Sequence, residues 1–106
     1  MANQKVKVDI PTTFNLGGVV WTTRKDESID EDVVGRCSHR ESVIEYRSKI
    51  NRSSDKKLSE SSIKNTFNHE LIHAILGTMA EWELHDNEKF VQSFANLLTE
   101  YELSKK

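Results

Sequence analysis

Apolar residues alternate with polar ones along the first half of the chain and recur at helical spacing along the second. Val6, Val8 and Ile10 alternate with Lys7 and Asp9, a two-residue period that predicts a half-buried strand limited by Pro11. Phe14 to Leu16 and Val19 to Thr23 flank Gly17-Gly18, a credible two-residue hairpin turn because glycine accepts positive φ at no steric cost. Lys25 to Asp32 is charged and reads as a solvated loop. Val33 to Ser38 and Ser42 to Arg47 are two further short strands, joined through His39-Arg40-Glu41. Lys49 to Lys57 is polar, with a turn expected at Ser53-Ser54-Asp55.

From Ser59 the period changes. Ser59 or Ser61 can supply the N-cap of a helix that runs to about Met79, with Gly77 near its end. At about 100° per residue, Phe67, Leu71, Ala74 and Ile75 cover one broad sector, and Ile72 and Met79 extend it. His69 and His73 fall roughly opposite its centre, with Leu76 and Ala80 beside them. A helix that is apolar almost all round needs cover on several sides. Glu81 to Asn87 reads as a polar link, and Asp86 as the N-cap of a last helix from Asn87 or Glu88 to about Leu103. There Phe90, Val91, Phe94, Leu97, Leu98 and Tyr101 form a stripe expected to be core. The predicted fold is α+β: a small antiparallel or mixed sheet from residues 1–50 packed against two antiparallel helices within 58–103, strand order left open.

Composition narrows the class. A chain of 106 residues supports one core of modest size, so residues 1–106 are expected to form a single domain. A net charge of −2 gives no field for nucleic acid or an anionic membrane, and no apolar run reaches spanning length. The start of the sequence lacks the apolar stretch of a signal peptide, which points to action inside a cell, in the cytoplasm. One cysteine, Cys37, excludes an internal disulfide and fits a reducing compartment. It reads as a small half-buried strand residue, with capping of a latent zinc ion the minor alternative.

The chemistry lies in His69-Glu70-Leu71-Ile72-His73. Two histidines four apart stack on one helix face and can hold one Zn²⁺, while the intervening Glu70 can reach a water bound there. With four histidines and eleven glutamates in the chain, chance yields this pattern on the order of once in a hundred such sequences. Two histidines among so many apolar neighbours also need partners. A catalytic zinc site needs a third protein ligand, and Glu88 is the best candidate, since it starts the last helix after room for the chain to reverse. His85, in the link, is its rival. It could instead line the open position and donate a hydrogen bond to a developing oxyanion.

The HExxH segment, continued by Ala74-Ile75-Leu76, and the run from Glu88 through Phe94-Ala95-Asn96-Leu97-Leu98 together resemble zincin metallopeptidases on the gluzincin side, where the third ligand is a glutamate. The second element is similar to the family pattern Glu-x-x-Ala-Asp/Asn-x-Phe-Ala, with Val91 where alanine is common and Gln92 where Asp or Asn is common. The family's Asp can support an active-site histidine, and Gln92 puts that role in doubt. The resemblance covers about forty residues, Ser59 to Tyr101. In size, and in the opening Ile10-Pro11-Thr12-Thr13-Phe14-Asn15-Leu16-Gly17-Gly18, the chain resembles minigluzincins and small phage- or prophage-encoded HExxH proteins.

The resemblance implies zinc on His69, His73 and Glu88, with Glu70 as general base, and peptide-bond hydrolysis in an intracellular protein or peptide. It also implies a substrate lying along an edge strand, for which Ser42 to Arg47 is the candidate. Tyr46, His85 and Tyr101 are the candidates to polarise the scissile carbonyl. A different class of function keeps zinc for folding alone, in a non-catalytic binding module with which a phage or mobile element grips a host protein. Glu70 separates the two in part, because a purely structural site needs no general base.

Overall fold

A computed structural model describes residues 9–29, 33–50 and 54–106. The expected Val6–Val8 strand lies outside them, and Ile10 belongs to no strand but packs against the core. Strand β1 (Thr13–Leu16) and strand β2 (Val19–Lys25) form the expected hairpin, with Leu16 opposite Val19. Gly17 and Gly18 have φ of +57° and +84°, the positive pair that a tight two-residue hairpin needs. A second hairpin follows, β3 (Gly35–Ser38) and β4 (Val43–Tyr46). β4 pairs in parallel with β2, Thr22 facing Val43 and Lys25 facing Tyr46, so the sheet is mixed with order β1-β2-β4-β3. Both sides of β4 are therefore taken. It cannot serve as the substrate-binding edge expected of Ser42 to Arg47, and among the described strands the outer edge beside the helices is β3.

Helix α1 (Glu60–Thr78) is capped by Ser59, whose side chain accepts from the Ser62 amide. One flank of it meets the sheet: Phe67 and Ala74 join Trp21 and Ile44 in a core where Phe14 stacks on Trp21 and meets Phe67 edge-on. Gly77 does not close the helix. Ala80 does, at φ +60°, while its amide reaches the Gly77 carbonyl and the Glu81 amide reaches that of Leu76. This is a Schellman ending with alanine where glycine is usual.

The expected link contains one helical turn, α2 (Trp82–His85), and α3 (Glu88–Ser104) is capped by Asn87 rather than Asp86. Asn87 accepts from the Phe90 amide, whereas Asp86 bonds the His85 ring. α3 packs mainly on α1, antiparallel to it, as the pairings Asn65 with Asn96, His69 with Gln92 and His73 with Glu88 show.

The face that α3 buries overlaps the predicted stripe only in part: Val91 is buried, Phe90 packs against it and Leu98 is half-buried, but the rest of the stripe turns outward. Val91, Ala95 and Thr99 are covered, while Phe94, Leu97 and Tyr101 are 48%, 68% and 62% exposed. The reason lies in the seam. Ile72 and Leu76 pack on the small Val91 and Ala95, and polar groups then close at hydrogen-bond distance: Asn68 Nδ2 donates to Thr99 Oγ1 at 3.0 Å, and Asn65 Nδ2 to Asn96 Oδ1 at 2.8 Å. Small residues permit the close approach, and the matched bonds offset the burial of polar atoms.

Candidate metal centre

His69 and His73 stand one turn apart on α1, and Glu88 enters from the first turn of α3. Its two carboxylate oxygens divide between them: Oε2 lies 3.2 Å from His69 Nε2 and Oε1 2.8 Å from His73 Nε2. One ligand atom from each of the three falls within 4.8 Å of the others. The three residues named as ligands from the sequence are thus brought together, and the rival His85 is outside the trio.

The hydrogen bonds around His69 leave room for a cation between it and Glu88. Gln92 Nε2 donates to Asn96 Oδ1 at 2.7 Å, which turns Gln92 Oε1 toward His69 Nδ1, 2.9 Å away. A carbonyl oxygen only accepts, so His69 carries a proton on Nδ1. In neutral His69 the Nε2 lone pair then faces a carboxylate oxygen, a repulsive contact unless a cation or a second ring proton lies between. Burial lowers the pKa of His73, which favours the neutral ring a metal needs. The donor set of two imidazoles and one carboxylate suits Zn²⁺ with a position left open. The role of Gln92 that the sequence put in doubt is present here: an amide supports His69 where the resembled family has Asp.

Glu70 is the neighbour that chemistry would use. It is buried, and burial together with the nearby Glu88 charge pushes its carboxyl up to about 7. It lines a cleft of about 450 Å³ with His69, Glu88 and Gln92, opposite Val33, Val34 and Gly35 at the start of edge strand β3.

Of the three residues that the sequence offered for carbonyl polarisation, His85 is the one beside the trio. Its ring centroid is 4.6 Å from that of His73. Tyr101 faces outward on α3, and Tyr46 lines a separate recess with Lys57 and Ile63. His85 Nδ1 pairs with Asp86 Oδ1 at 2.8 Å and its Nε2 lies 2.9 Å from His39 Nε2. His39, in the β3–β4 turn, is the residue the sequence reading missed. Four histidines, all that the chain has, stand in one row in the order 69, 73, 85, 39. No periodicity links position 39 to 85, so no signal in the sequence marks it. Trp21 and Trp82 enclose its ring edge-on, and burial lowers its pKa. Cys37 is half-buried on β3, as expected, 4.0 Å from His39 Nε2 and outside the ligand trio.

No helix among the described residues is long and apolar enough to cross a membrane. Comparison with family models, curated proteins and solved structures returns no match to this chain.

Proposed function

We propose that this chain is a zinc-dependent peptidase of gluzincin type, in which His69, His73 and Glu88 hold the metal and Glu70 is the general base. One observation carries the reading: a His-His-Glu trio from two helices opens onto a cleft where a buried, readily protonated Glu70 lies opposite the β3 edge, which is unpaired among the described residues. Zinc bound there supplies Lewis acidity, lowering the pKa of a bound water and polarising a carbonyl.

The chain's own residues do the rest. Glu70 takes the attacking water's proton and returns it to the leaving amine, a two-way task suited to a carboxyl whose pKa lies near neutrality. The β3 edge, rather than β4, offers main-chain groups to an extended substrate. His85 is the group assigned to the carbonyl oxygen, and to act there its Nε2 exchanges His39 for substrate. Gln92 holds the His69 tautomer. The substrate class is an intracellular protein or peptide, and the phage-like resemblance puts the working compartment in a host cytoplasm.

The test is hydrolysis of a peptide library by the zinc-loaded chain and by Glu70→Gln. Cleavage falling about 10²- to 10⁴-fold in the variant, with zinc retained, is the expected result. Equal product patterns from both proteins, or none from the wild type, would leave zinc a structural part of a non-catalytic binding module.

A further inference from the structure

The outer face of α3 carries a run of large apolar side chains that the fold leaves exposed, with Phe94, Leu97 and Tyr101 at 48%, 68% and 62%. Phe90, Phe94, Leu97 and Tyr101 follow one another at steps of four, three and four, the spacing of a two-helix seam. Phe90 and Phe94 meet edge to face at 6.0 Å, and with Leu97 and Leu98 they line a groove of about 670 Å³. A stripe of this kind on a small polar chain marks an interaction surface.

Charge identifies what covers it. Lys89 and Glu100 are exposed, and neither has an ion pair among the described residues. At about 100° per residue they fall within about 20° of each other on one flank of the seam, about 16 Å apart along the helix. Place a second α3 antiparallel across a two-fold axis at the seam's midpoint, between Phe94 and Leu97. The axis returns each flank to its own side with its direction reversed. Lys89 then lies within about 3 Å, along the axis, of Glu100 of the second copy. The reciprocal pair forms at the other end. A parallel arrangement would send the second copy's Lys89 and Glu100 to the opposite flank and form neither pair.

We infer that α3 is the interface of a two-fold dimer of this chain, its seam built from Phe90, Phe94, Leu97 and Tyr101 and its register set by two Lys89–Glu100 pairs across the axis. The metal centre lies on the opposite face of the same helix, toward α1, so both clefts stay open in the dimer. The inference does not depend on catalysis.

Sedimentation equilibrium of the full chain tests it. A dimer is expected at about 100 µM. Leu97→Glu should be a monomer with unchanged circular dichroism, because Leu97 is exposed and removing it costs the fold little. Lys89→Glu and Glu100→Lys should each weaken association about tenfold. The double variant should recover it, and mixing the two single variants should give mainly heterodimer. A monomer at every concentration up to about 1 mM, or a dimer that Leu97→Glu leaves intact, overturns the interface. A double variant that associates no more tightly than the singles overturns the antiparallel register.

Discussion

Gln92 Oε1 accepts the Nδ1 proton of His69 across 2.9 Å, and that one bond decides which imidazole nitrogen faces Glu88. The amide is held in turn by Asn96 at 2.7 Å. A ligand fixed in tautomer and orientation loses less entropy on binding metal. Gln92→Ala should therefore lower zinc affinity about 10- to 100-fold, read by competition with a chromogenic chelator. Unchanged affinity would mean that His69 is positioned by its backbone alone.

Removing the proposed third ligand should cost more. Glu88→Ala takes away the carboxylate that bridges both histidines, whereas His85→Ala removes a ring outside the trio. Zinc affinity is expected to fall at least about a hundredfold in the first and less than about threefold in the second. Because the site ties α1 to α3, chelation should lower the melting temperature of the wild type and leave Glu88→Ala nearly unmoved. The opposite order of the two variants would place the ligand in α2.

The clustering of the candidate trio was more legible in the sequence than the packing around it. That His69, His73 and Glu88 come together was legible because polar residues at fixed helical spacing on an otherwise apolar helix mark one face. Which way α3 turns was not. Counting hydrophobicity selects Phe94, Leu97 and Tyr101, but the seam is chosen by small Ala95 and by Asn and Thr side chains whose value exists only when Asn65 and Asn68 stand opposite. The interior place of β4 was hidden for a similar reason: its parallel pairing with β2 joins strands from two hairpins, and no local pattern records that contact.

Gly77 shows how the row of histidines is kept in place. A Cβ there would lie 2.1 Å from His39 Cε1, so only a bare glycine admits the ring against α1. Gly77→Ala gains helix propensity of about 1 kcal/mol but forces the ring to move, at a typical overpacking cost of about 1–3 kcal/mol. Urea unfolding should show a net loss of stability. In the Gly77→Ala, His39→Ala double variant the clash is gone, so the double should be more stable than the sum of the singles. Additive effects would show that the ring has room to step aside.

Burial pushes the Cys37 thiol up to about 12, with the nearby Glu70 charge acting in the same direction. The unfolded thiol titrates near 9, so the folded state binds this proton more tightly. The stability it contributes is full below pH 9 and is lost as pH rises from there through 12. Two measurements check this. At pH 8, iodoacetamide should label the native protein at least about tenfold more slowly than the urea-unfolded chain. Above pH 9, wild-type stability should fall more steeply than that of Cys37→Ala. Equal labelling rates would show the thiol open to solvent.

Ala80 ends α1 in the left-handed region at φ +60°, where its Cβ crowds the neighbouring carbonyl. The position is exposed, so a substitution there disturbs no packing. Glycine removes the strain, and against that gain stands the larger entropy that glycine gives the unfolded chain. Since this site is the C′ position of a Schellman ending, relief of strain should dominate. Ala80→Gly is expected to raise the free energy of unfolding by about 1 kcal/mol with no change in the denaturant slope, and Ala80→Val to lower it by at least as much. Because α2 and Glu88 follow directly from this turn, zinc affinity in Ala80→Gly is the second reading: it should match wild type. A stabilised variant that binds zinc less well would mean that the alanine's strain helps to aim the third ligand.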